Sequence, residues 1–146
     1  MKRSIFIVVL ILCTQIGLQA QTKVAAYSFG KAGTDNYENF DFWTKNGKRT
    51  EIDYRYGKDR KEVKLKYLGK DLLNGDSCFK VRFSNNYTLY IMPAGLQLKV
   101  VDANGKYNKT FAWEYEGPIN GIGTYCDVCA ADDQDAMRLI KTSYMH

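Results

Sequence analysis

Histidine is all but missing from this sequence: there is one, His146, at the final position. That removes the commonest general base and with it any Ser–His or Cys–His pair. It also denies Cys126-Asp127-Val128-Cys129 the histidine that covalent haem attachment would need after the second cysteine, where Ala130 stands. Zinc fares no better, because only Cys78 and His146 could join that cysteine pair as third and fourth ligands. A hydrolytic reading is left with Glu114 and Glu116, which share a strand face at a separation that suits two-carboxylate chemistry. Trp113 and Tyr115 are the stronger core candidates on that strand, which turns both glutamates toward solvent or the helix. The sequence therefore reads as non-catalytic, with no cofactor and no metal.

Long apolar runs are also scarce. The run Ile5 to Leu12 is too short to cross a bilayer, which takes about 20 residues. Lys2 and Arg3 precede it and Gly17-Leu18-Gln19-Ala20 follows it, the layout of a secretory signal peptide cleaved before Gln21. A lipoprotein acylated at Cys13 is disfavoured by Leu12, where a small residue is expected. The expectation is a leader at 1–20 and a single β-rich domain at 21–146. The leader looks bacterial, so the domain would be exported to the periplasm or beyond, with no membrane span.

Without Lys2 and Arg3 the formal charge falls from +5 to +3, and its distribution matters more than its size. Residues 45–70 are rich in Lys and Arg, whereas residues 114–135 carry acidic side chains and no basic one. A chain so divided can pair with itself, which argues against nucleic acid as the partner. Three cysteines survive cleavage: Cys78, Cys126 and Cys129. In an oxidising compartment pairing is the default and an odd count leaves one over. A bond from Cys78 to Cys126 or Cys129 closes the longer loop and is favoured by chain entropy. It would pin the C-terminal segment, with Leu139, Ile140 and Tyr144, onto the outside of the sheet against Tyr90, Met92 and Val101. A redox-active Cys126–Cys129 pair just before a helix is the alternative, although no βαβ framework of the thioredoxin kind is readable.

What the chain has in abundance is alternation. Lys23–Phe29, Tyr37–Thr44, Glu51–Tyr56 and Val63–Leu68 read as strands, and further alternating runs follow to Glu116. Corners fall at Asn46-Gly47, Asn74-Gly75, Asn85-Asn86, Pro93-Ala94-Gly95 and Asn104-Gly105. Asp132–Tyr144 has Ala136, Leu139, Ile140 and Tyr144 at helical spacing, with acidic residues in the first turn. The fold expected is mainly β, an antiparallel up-and-down meander of seven or eight strands with one C-terminal α-helix. Exposed edges are most simply removed by closing a barrel, with a strongly twisted open sheet as the alternative.

Two candidate sites follow from the alternation. Lys64, Lys66, Lys80, Arg82 and Lys99 should share one sheet face with Tyr90, fit for an acidic protein or glycan. The opposite face collects Tyr54, Tyr56, Tyr67, Phe79, Phe83, Phe111, Trp113 and Tyr115. Such residues line a ligand cavity in lipocalin-type barrels but fill the interior of smaller ones. In size and meander alone the chain resembles small exported barrels, including periplasmic lysozyme inhibitors, and no motif carries over from them. The expected function is an exported binding module for a protein or glycan, conceivably a hydrolase inhibitor. It would use the basic-aromatic face or the loops at one barrel end. A thiol-redox or metal-handling protein and a small-ligand carrier are the alternatives.

Overall fold

Corners of two residues set the architecture. Asn74 and Gly75 both take positive φ, 53° and 89°, the conformation a type I′ hairpin turn requires. The computed structural model describes residues 22–45, 48–114 and 130–146. Among these residues are eight strands, β1 (Thr22–Phe29), β2 (Glu38–Lys45), β3 (Lys48–Tyr56), β4 (Lys61–Leu73), β5 (Asp76–Arg82), β6 (Thr88–Ala94), β7 (Gln97–Asp102) and β8 (Asn108–Trp113). One helix, α1 (Asp133–Tyr144), follows them. Each strand pairs antiparallel with the next, and β8 returns to β1, so the meander is a closed barrel. Closure rests on Tyr27 opposite Trp113 and Ser28 opposite Ala112, extended by the Glu114 N–H donating to the Ala26 carbonyl at 2.9 Å.

Two strands depart from the expected limits. β4 runs on to Leu73 rather than stopping near Leu68, because its register slips between Tyr67 and Gly69. Gly69, at φ 109°, absorbs the bulge. Beyond it, Asp71 and Cys78 are partners on the outer face. A bulge of this kind bends a strand sharply, and here it lets one strand serve two neighbours: Lys61–Leu65 pairs with β3 and Lys66–Leu73 with β5. β6 likewise continues through Pro93 to Ala94, opposite Leu98 and Gln97, so the connection to β7 is Gly95-Leu96 alone. The Asn46-Gly47 corner lies outside the described residues, but Lys45 and Lys48 face each other across it.

The interior is filled. Tyr27, Phe40, Phe42, Ile52, Phe79, Val81, Leu89, Ile91, Leu98, Val100 and Phe111 are buried in one apolar cluster. Most of their ring pairs meet edge-on or tilted, as Phe40 and Phe111 do at 4.9 Å between centroids, an arrangement aromatic quadrupoles favour, while Phe40 and Phe42 stack. Apolar side chains point in, and Lys64, Lys66, Lys80 and Lys99 point out, the reverse of a membrane-spanning barrel. No helix among the described residues is long and apolar enough to cross a membrane.

α1 does not lie on the outside of the sheet. It plugs the end of the barrel where β2 ends and β3 begins, and its buried face (Ala136, Met137, Ile140 and Tyr144) joins the interior cluster. The outward residues expected to receive it, Tyr90, Met92 and Val101, instead form a separate small cluster with Cys78 and Leu73. Asp132 caps the helix by accepting from the Asp135 N–H at 2.7 Å. Tyr144 anchors the far end. Its hydroxyl donates to the Trp43 carbonyl at 2.8 Å and accepts from the Trp43 N–H at 3.2 Å. The Tyr67 hydroxyl in turn donates to the Tyr144 carbonyl at 2.9 Å. Arg49 lies over the Tyr67 ring at 4.1 Å and donates to the Ser143 carbonyl at 3.3 Å, a cation where the helix dipole is negative.

Candidate functional site

The basic set does share one face. Lys66 and Arg82 are register partners, as are Lys80 and Tyr90, and Lys99 sits opposite Met92, all pointing outward from β4 to β7. Its charge is partly neutralised. Lys64 binds Glu51 at 2.7 Å with Asp53 at 3.8 Å, and Lys80 binds Asp71 at 3.0 Å. The Lys80 hydrogen bond holds the Asp71 carboxyl below its ordinary range, and the bond to Glu51 raises Lys64. Tyr90 spends its ring on the Cys78 cluster. Lys66, Arg82 and Lys99 have no ion-pair partner among the described residues.

Cys78 is fully buried and carries no disulfide. Burial pushes its thiol up, and the nearby Asp71 adds to the shift, so it is a poor nucleophile. Cys126 and Cys129 lie outside the described residues, as do Tyr115 and Glu116. Glu114 is a structural acceptor, taking the Tyr37 hydroxyl at 2.8 Å and the Asn39 carboxamide at 3.2 Å. No group of three or more potential metal ligands occurs among the described residues.

The inward aromatic residues divide by height in the barrel. Phe79 and Phe111 fill the middle and Tyr67 belongs to the plugged end, while Trp113 packs at the edge of the core. Tyr54, Tyr56 and Phe83 rise at the opposite end, where no helix sits among the described residues. In an up-and-down meander alternate connections share an end, so the turns 57–60, 83–87 and 103–107 converge there. Tyr87 and Tyr107 come with them, and a concavity of about 400 Å³ opens between these rings, with Val63, Ser84, Asn85 and Leu89 completing its wall. The rings form an arc, with centroids 5.7 Å apart from Tyr56 to Tyr54, 5.4 Å on to Phe83 and 5.9 Å on to Tyr87. Tyr56 is 40% exposed and Tyr87 39%.

Beneath the arc lies a closed polar knot. Glu38 accepts from the Tyr107 hydroxyl and from the Lys109 ammonium. The Lys109 ammonium is also 4.9 Å from the Phe29 ring centroid and 5.0 Å from that of Tyr107. Burial raises the Tyr54 and Tyr107 phenols, and the Glu38 charge raises them further, so both stay neutral. At the rim the Tyr87 hydroxyl donates to Asp102 at 3.1 Å. Burial pulls the Asp102 carboxyl up, but this bond and backbone N–H groups led by Tyr107 hold it below its ordinary range.

Sequence reasoning missed Tyr87, Tyr107 and Glu38 as parts of a site. The available signal was topological: Tyr87 follows the Asn85-Asn86 turn and Tyr107 follows Asn104-Gly105, and these alternate corners must meet. The structure thus defines a class, a closed eight-stranded meander barrel plugged at one end by a helix and ring-lined at the other. Beyond that class, no family model matches the chain, and no curated protein and no solved structure is similar to it.

Proposed function

We propose that the chain, exported after loss of residues 1–20, is a non-catalytic binding module that takes a protein or glycan at the open end of its barrel. The observation carrying this reading is the ring-lined concavity at the one end the helix leaves free. Concave, mostly apolar sites with a few placed polar groups are the usual form of a binding site. The outer basic face is a weaker candidate, because Lys64 and Lys80 are already paired. An interior carrier is weaker still, since phenylalanines occupy the volume a ligand would need.

Affinity capture with the mature protein tests the reading. A Tyr56→Ala/Tyr87→Ala double variant should lose what the wild type retains, and a Lys80→Glu/Arg82→Glu variant should keep it. The reverse pattern would move the site to the basic face.

A further inference from the structure

We infer that the open-end pocket takes a neutral saccharide, one sugar ring lying flat on the aromatic arc with its hydroxyls turned to the rim; this rests on the reading of that end as the binding site. Charge gives the first argument. No charged side chain among the described residues lines the pocket; behind its wall Glu38 and Lys109 are bound to each other, and the Tyr54 and Tyr107 phenols stay neutral. An anionic or cationic ligand would find no counter-charge on that wall and would lose its hydration without return.

Depth gives the second. Directly below the rings the barrel is filled by Phe40 and Phe111, each fully buried. An acyl chain, which needs length as well as apolar wall, has nowhere to descend. The pocket of about 400 Å³ is broad and shallow, within the roughly 300–1,000 Å³ range of small-molecule sites.

The third is the chemistry of the wall. Tyr56 and Tyr87 are each about two-fifths exposed, and Ser84 and Asn85 line the pocket beside them, the Asn85 carboxamide oxygen already accepting from the Tyr87 N–H at 3.0 Å. Tyrosine, serine and asparagine together make a surface that is rigid, half apolar and rich in hydrogen-bonding groups. A ligand that matches it needs one apolar face and a polar perimeter. A sugar ring has that form, with C–H bonds on its face and hydroxyls around its edge.

The test is binding of the full mature protein to immobilised neutral hexose and N-acetylhexosamine oligosaccharides, beside polyuronates and proline-rich peptides. The expected result is retention on a neutral glycan that changes little with added salt. Tyr56→Ala and Tyr87→Ala should weaken it roughly tenfold or more. Tyr56→Phe, which keeps the ring face and loses one hydroxyl, should weaken it less. Unfolding curves matching the wild type assign these losses to the site. Retention on proline-rich peptides alone, lost in Tyr56→Ala, would overturn the saccharide inference and leave the binding-module reading standing. Salt-sensitive retention on polyuronates alone, unaffected by Tyr56→Ala, would overturn both, as would no retention on any probe together with partner capture unaffected by the Tyr56 and Tyr87 changes.

Discussion

The two ends of this barrel are built from the same residue and put it to opposite uses. At the plugged end Tyr144 is fully buried, and its hydroxyl is shared among backbone groups of Trp43 and Glu51. At the open end Tyr56 shows two-fifths of its surface, while the hydroxyl of nearby Tyr107 is tied down to Glu38. What separates a structural tyrosine from an available one is therefore the fate of its hydroxyl and of its ring face. At one end both are consumed. At the other the polar work is done below the rings, and the faces are left over.

The sharpest way to break this contrast is to remove the plug's anchor. Tyr144→Ala should cost about 3–5 kcal/mol, the usual loss for deleting a large buried aromatic side chain, read as a shift in the urea midpoint. Tyr144→Phe keeps the packing and leaves the Trp43 and Glu51 groups short of a partner. It should cost about 1–2 kcal/mol in the same measurement. A loss below about 0.5 kcal/mol would show that the hydroxyl network is incidental.

Acid should loosen the plug next. The Arg138 hydrogen bond and the Ala131 N–H hold the Asp135 carboxyl below its ordinary range. A group depressed in the folded state contributes stability that is present above its unfolded pKa and is lost as pH falls through the folded pKa. Lowering pH through that window should loosen α1, and Asp135→Asn should flatten this part of the stability–pH curve. The smallest effect belongs to the open end. Tyr56→Ala should change stability by within about 1 kcal/mol, because the ring is only half covered, while capture is lost. A loss as large as that of Tyr144→Ala would erase the distinction between the two tyrosines.

Much of the fold was legible because turn chemistry and alternation are local. Asn74-Gly75 announced a tight hairpin, and the inward phase of Phe79 and Val81 followed from period two. Where alternation breaks, reading stops: Gly69 shifts the phase of β4, so the strand appeared to end there. The docking of α1 was not legible for a different reason. Spacing reveals that a helix has an apolar face but not which surface receives it. The outward apolar residues Tyr90, Met92 and Val101 looked like a receiver, yet they satisfy one another around Cys78. The shared outer placement of Lys80 and Arg82 was read correctly. Their use was not decidable from the sequence, because the pairing of Lys80 with Asp71 depends on the bulge at Gly69. The Glu38, Tyr107 and Lys109 knot joins residues about 70 positions apart, and nothing local marks it.

The staple between Trp43 and Tyr144 spans 101 residues, and this has a consequence for the order of events in folding. Each hairpin of the meander is local and can form as it emerges, but closing β1 onto β8 and seating the plug need both halves of the chain. Contacts of such separation form late, after the entropy of a long loop has been overcome. The second strand is made early and completed almost last. Until β8 is synthesised the sheet has two bare edges, and until α1 is seated the core has no cap at that end.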